Sequence, residues 1–410
     1  MYQVKWYIRL QIPHHILRRL DSHRTGGYTG TIMKRLSITQ CRASWTQGSH
    51  KPTGVLLIAA VLLLGMTPVA AVAAPELADP DVGTLELVTP SAAEQAKLDM
   101  IDGLAFDSFG NLFAVLEITG AGGGVVYVDK DTGVVTPLVT GISRADQIAL
   151  HPSGNFFVTS ETGPASVTER VYRIVVGYDV NNVPVAGDTT AATITTSLDI
   201  GGPEGLIVLK TDGPYGNTGD LYVAEHRNPG SIFRVQPSDG TTSVLASGLA
   251  APEGLAFGDF VGARAQALYV AETDDHDVLR VDSSGGVSVF GNPTAVNLIN
   301  PDNIEFGPDG FLYVSEDRFA PNSRIIRIAA DGTYSVFATG FGAAQGMVFN
   351  PANGDLYISE QAFDRIWRVQ FAEFSVPVFP IGGWLSLAAL LTSAALWISR
   401  RKGGTLPGRS

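Results

Sequence analysis

Six residues able to bind a cation or carry a proton recur at one point of a repeated unit: Asp102, Asp146, Glu204, Glu253, Asp302 and Gln345. Each opens a short apolar run, as in Asp102-Gly-Leu-Ala-Phe and Glu253-Gly-Leu-Ala-Phe. If the fold gathers them around one opening, the carboxylates repel one another by about 4 kcal/mol per pair at ~4 Å and an effective dielectric of ~20. Either some take up protons, or a divalent cation sits among them. Hard oxygen ligands suit Ca²⁺, which takes ~6–8 oxygens, better than Zn²⁺. The plainer alternative is a water-filled polar channel whose acids accept hydrogen bonds from loop amides. Two histidines add nitrogen chemistry: His226 follows Glu225, and His276 sits in Asp274-Asp275-His276-Asp277. A His pair among carboxylates can hold Zn²⁺ or supply a general base, although loop histidines beside acids also form simple surface pairs.

The elements that must position these groups follow from the repeat, which returns every 43 to 58 residues. The clearest unit runs from Asn300 to Ile328, with two alternating apolar runs joined by Gly307-Pro308-Asp309-Gly310, and a third run behind them. A second strand is predicted in every unit: Leu112–Leu116, Phe156–Ser160, Leu221–Glu225, Leu268–Glu272, Leu312–Glu316 and Leu356–Glu360. A third strand carries Arg173, Arg234, Arg280, Arg327 or Arg368 at one fixed place, with Tyr127 in the first unit. These Arg residues read as structural, their stems packing between sheets while the guanidinium meets an acid or carbonyl. Fourth strands are expected at 134–139, 192–198, 242–246, 287–290 and 334–338.

Four strands per unit at this period indicate an all-β, six-bladed β-propeller. The sixth unit ends after three strands, and Gly83–Thr89 has the fourth-strand pattern, so the N-terminal strand is expected to close the last blade. In such a ring the start of each first strand and the end of each second strand share a face. That adds Glu225, Glu272, Glu316 and Glu360 to the acidic face. Glu117 and Glu161 fall one residue later, which turns a strand side chain away unless a bulge intervenes, so they are left out.

The openings Pro203-Glu204-Gly205-Leu206, Pro252-Glu253-Gly254-Leu255-Ala256-Phe257, Pro301-Asp302 and Asp102-Gly103-Leu104 resemble those of the NHL-repeat and senescence-marker/gluconolactonase propellers. The resemblance implies a divalent metal that polarises a lactone, with Glu204, Glu253, Asp302 and Asp102 as candidate ligands; the position of Asp146 in the acid ring adds it to the possible metal ligands, and in a hydrolase Asp102 or His226 would be the base. The chain departs from that group in having no Asn-Gly opening and in reading Glu-Gly-Leu where the lactonases have Glu-Gly-Pro.

Residues 75–374 carry 39 acidic and 15 basic side chains, which argues against a nucleic-acid partner and favours cations. A small molecule, a glycan or a protein remain the ligand classes, and a monomer is expected. Residues 1–74 read as a basic leader, a 12-residue apolar run Val55–Met66 and a small-residue site before Ala74, a signal peptide whose true start is Met1 or Met33. An uncleaved anchor is the alternative. The single Cys41 lies in this segment, leaving the mature chain without thiols. Residues 375–410 hold Val376-Pro377-Val378-Phe379-Pro380, the 18-residue stretch Ile381–Ile398 and Arg400-Arg401-Lys402. The stretch suits a transmembrane helix with its basic end cytoplasmic. The tail resembles the sorting signals of PEP-CTERM-like proteins, implying an exported protein anchored in, or processed at, the cell envelope.

His151 in His-Pro-Ser-Gly, the loop Gly120–Gly124 and the turn Asp129–Gly133 read as structural, and no Gly-x-Ser-x-Gly elbow, cysteine nucleophile or zinc-protease helix is present. Three functions follow: an envelope propeller that binds a ligand on a cation-bearing acidic face without catalysis, a metal-dependent lactonase or hydrolase, and a purely structural surface protein.

Overall fold

The computed structural model describes residues 74–372, except 90, 162–169, 195–199, 259 and 261–265. The predicted signal peptide, Cys41, the membrane helix and the sorting tail lie outside the described residues. Among those described, no helix is long and apolar enough to cross a membrane, and the one α-helix, Ala92–Gln95, spans a single turn capped by Ser91.

Six antiparallel sheets form the six blades of a propeller. The first, innermost strands are Ile101–Phe106, Ala145–Leu150, Pro203–Val208, Pro252–Gly258, Pro301–Phe306 and Ala344–Phe349. The second strands end at Leu116, Ser160, Glu225, Glu272, Glu316 and Glu360, as the repeat requires. Blade six takes its outer strand from the N-terminal side: Gly83–Leu87 pairs with Arg365–Phe371 from Gly83↔Phe371 to Leu87↔Trp367. The ring therefore closes by strand pairing.

Two outer strands differ from the sequence reading. In blade two the fourth strand is Pro184–Thr193, not 192–198, because the third strand runs on to Tyr178 and its partner begins directly after a tight turn. Blade five gains a fifth strand, Glu76–Leu77, so the N-terminal segment edges blade five before it completes blade six.

The core lies between the blades. Six apolar clusters occupy the six interblade layers, for instance Phe113 with Phe156 and Leu98 with Tyr357. Each fully buried large side chain there contributes about 1.5–3 kcal/mol. The third-strand Arg residues sit directly across from a second-strand aromatic, as in Tyr222↔Arg234 and Tyr357↔Arg368. Arg234 binds Asp220 at 2.5 Å, Arg368 binds Glu86 at 2.5 Å, and Arg327 stacks on Phe311 at 4.4 Å. Their structural role is as expected.

Candidate functional site: an acidic mouth

Three repeated backbone features build the mouth. The residue before each first strand is left-handed: Met100, Arg144, Gly202, Ala251, Asn300 and Ala343, with φ between 46° and 63°. Its carbonyl accepts the N–H of the residue just beyond the second strand, at 2.8–3.0 Å in all six blades. Each first strand then carries a bulge near its start; in blade three, Pro203 faces Glu225 and Leu206 faces Val223, so Glu204 and Gly205 together oppose Ala224. The same shift recurs in every blade. A bulge re-aims a side chain, here that of the second residue of each first strand. The third residue is Gly in four blades because adjacent first strands approach closely: a Cβ on Gly205 would stand 1.7 Å from the Glu253 carbonyl oxygen.

Consequently, two tiers of side chains face the opening. One is Asp102, Asp146, Glu204, Glu253, Asp302 and Gln345. The other is the tied residue after the second strand: Glu117, Glu161, His226, Thr273, Asp317 and Gln361. Their mutual interactions confirm the gathering: Gln361 donates to Glu117 at 3.2 Å, Thr273 to Glu253 at 2.5 Å, and His226 meets Glu204 at 2.6 Å.

This corrects the second-strand part of the sequence reading. Glu225, Glu272, Glu316 and Glu360 are consumed within their own blades. Each accepts the N–H two residues before its first strand: from Gly201 at 3.0 Å, Ala250, Ile299 at 3.0 Å and Gly342 at 2.8 Å. Glu117 and Glu161, excluded on strand parity, belong to the mouth, because the chain leaves the strand at that residue and parity no longer applies. Asp317 was missed altogether. The other two histidines among the described residues are structural: His276 Nδ1 lies 2.6 Å from the Thr273 carbonyl oxygen, and His151 Nδ1 binds the Ser153 hydroxyl at 2.8 Å.

Within the mouth, charge is handled differently on different sides. Toward blades one and two, Arg144 binds Glu117 at 2.6 Å and also pairs with Glu161. Burial works against its charge, but the two acids override this and hold it protonated. Toward blades three and four, Glu204, His226 and Glu253 present ligand atoms that all lie within 4.8 Å of one another. Burial, then Asp146 and Glu253, pushes the Glu204 carboxyl well above the usual range. Two acids and an imidazole packed this tightly need a proton or a cation between them. The donor set fits a divalent metal: carboxylate oxygens and a neutral imidazole nitrogen are the ligands of Zn²⁺ and of Mn²⁺-like ions.

Asp102, Asp146 and Asp302 share the mouth but are not part of that three-residue group. Burial, reinforced by neighbouring acids, raises each well above the ordinary carboxyl range. Asp317 is pushed up to about 6 by burial, with Glu253 and Glu117 adding to it.

No protein-family model matches the chain, and no curated protein matches it. Solved structures do. A candidate gluconolactonase has 14% identity and a TM-score of 0.50, covering 73% of this chain and 98% of its own. A luciferin-regenerating enzyme has 16% identity and a TM-score of 0.50, covering 70% of this chain and 95% of its own. A protein of unknown function from Bacteroides thetaiotaomicron has 14% identity and a TM-score of 0.52, covering 70% and 76%. The fold is thus the six-bladed propeller of gluconolactonase-like proteins; at these identities the likeness concerns the ring of blades and not its chemistry.

Proposed function

We propose that this propeller binds a divalent cation through Glu204, His226 and Glu253 and, through the cation, an oxygen-rich small ligand at the acidic mouth. The observation that carries the reading is the convergence of those three donors within 4.8 Å. The imidazole moves the expected ion from the Ca²⁺ suggested by carboxylates alone toward Zn²⁺ or Mn²⁺. Export and envelope attachment are part of the proposal, supported by the leader and tail patterns of residues 1–74 and 375–410. Calorimetric titration of the chelator-treated protein with Zn²⁺ and Mn²⁺ tests it. One tight site, lost in His226→Ala and in Glu253→Gln, is expected; equal binding by wild type and both variants refutes it.

A second reading, a metal-dependent lactone or ester hydrolase, is favoured by the buried carboxyl of Asp102, which burial and then Asp146 raise well above the ordinary carboxyl range on the same mouth. A carboxyl whose proton is held more tightly than usual, beside a cation, is the equipment for protonating a leaving oxygen. The candidate gluconolactonase among the similar folds makes lactones the first panel to try. Turnover abolished by chelator and reduced at least tenfold in Asp102→Asn supports this reading, and an inactive metal-loaded protein removes it.

A further inference from the structure

Blade one departs from the repeat at the end of the ring opposite the mouth. Its third strand carries Tyr127 across from Phe113, where the other five blades set Arg173, Arg234, Arg280, Arg327 or Arg368 across from a second-strand aromatic. In blade three that Arg binds Asp220, the residue just before the second strand. The matching residue of blade one is Asn111. A phenol and an amide thus stand where blade three has an ion pair, and both line a cavity of about 310 Å³. Asp129, Lys130 and Asn350 add to its lining, as does Phe109, which is 55% exposed. The Phe109 ring is held edge-on to Tyr178 of blade two, with 5.2 Å between centroids. A second hollow of about 250 Å³ shares Lys130 and Asp131 with the first and continues past Glu86 and Arg368. Together they form a groove along the seam where blade six, closed by Gly83–Leu87, meets blade one.

We propose that this groove binds a neutral glycan, with one pyranose ring in the cavity beside Phe109 and Tyr127 and the next sugar in the adjoining hollow. A first cavity of this volume falls within the ~300–1,000 Å³ of small-ligand clefts. Aromatic faces carry negative charge density and suit the carbon-bound hydrogens on one side of a sugar ring. Planar carboxylates and amides such as Asp129, Asn111 and Asn350 suit its neighbouring hydroxyls, and an ionised carboxylate makes the stronger of those bonds. Burial opposes the charge of Asp129, but hydrogen bonds from Thr132 and the Asp131 N–H outweigh it and keep the carboxyl below its ordinary range. The bases of the groove are already matched: Lys130 pairs with Asp131 at 2.7 Å and Arg368 with Glu86 at 2.5 Å. Asp129 therefore leaves the groove with a negative excess, which selects a neutral sugar over a uronate or a phosphosugar.

Saturation-transfer NMR of the chelator-treated protein with cellobiose, maltose, diacetylchitobiose and glucuronate, followed by calorimetric titration of any binder, tests this. At least one neutral disaccharide is expected to bind, at least tenfold more tightly than glucuronate. Its affinity should fall at least tenfold in Phe109→Ala and in Tyr127→Arg, and be kept in His226→Ala. Tyr127→Arg restores the residue of the other five blades and fills the cavity, and Phe109→Ala removes an exposed ring, so melting should show both variants folded. None of the three disaccharides bound at tens of millimolar, glucuronate bound as tightly as they are, or affinity unchanged in both groove variants each overturns the proposal. Binding lost only in His226→Ala also overturns it, because that places the sugar in the mouth.

Discussion

His226 Nδ1 lies 2.6 Å from Glu204 Oε2, and the two come from different strands of blade three brought together by one backbone tie. The His226 N–H donates to the Gly202 carbonyl at 2.8 Å, two residues before Glu204. Imidazole and carboxyl are therefore placed by main chain, and only Glu253 must be supplied by the neighbouring blade.

Glu253 is held by Thr273, whose hydroxyl donates to Oε2 at 2.5 Å and also lies 2.9 Å from the Pro301 carbonyl oxygen. Groups that orient a metal ligand matter for affinity by about 10–100-fold. Thr273→Ala is expected to weaken Zn²⁺ or Mn²⁺ by about tenfold in a chelator competition assay, and Thr273→Ser to restore it. Unchanged affinity in Thr273→Ala would show that the hydroxyl does not position Glu253.

The mouth also sets a pH dependence. Asp317, Asp102 and Asp146 have folded-state values above their unfolded ones, so their contribution to stability is complete below the ordinary carboxyl range and is lost as pH rises through the folded value. For Asp317 that window ends at about 6. Metal-free protein should lose stability as pH rises from ~4 to ~6. Asp317→Asn should flatten this part of the profile and be more stable than wild type at pH ~7 by about 1–3 kcal/mol. Urea titrations across the range decide it, and a profile identical in the two proteins contradicts the assignment.

Gly205 tests the construction of the ring. A Cβ there meets the Glu253 carbonyl oxygen at 1.7 Å, a backbone group that cannot swing aside. Gly205→Ala is expected to destabilise the protein by about 3 kcal/mol or more and to displace Glu253 from the cluster. Gly187→Ala, where a Cβ has nothing within 4 Å, should be near neutral in the same melting experiment. Equal behaviour of the two would mean that the first strands can separate without cost.

Much of this was legible in the sequence. The repeat gave six blades, and the fourth-strand pattern of Gly83–Thr89 gave the closure later seen at Gly83↔Phe371. The first-strand acids were legible because their place in the repeat is constant. The second tier was not, since whether a side chain after a strand end faces the mouth depends on backbone that strand periodicity does not describe. There, parity sent Glu117 and Glu161 outward and Glu225 inward, the reverse of what the left-handed residues and their carbonyl ties produce. A signal was nevertheless present: Glu117, Glu161, His226 and Asp317 are all titratable residues at one offset from the second strand. The strand Glu76–Leu77 was beyond reach, because two residues carry no periodicity.

The most direct test of the central claim is anomalous diffraction from crystals grown with Mn²⁺ or Zn²⁺ as the only metal. The account predicts a peak at ~2.0–2.3 Å from a carboxylate oxygen of Glu204, a ring nitrogen of His226 and a carboxylate oxygen of Glu253. A structure with no peak at the mouth, or with the metal bound elsewhere and the His226–Glu204 contact intact, would contradict it.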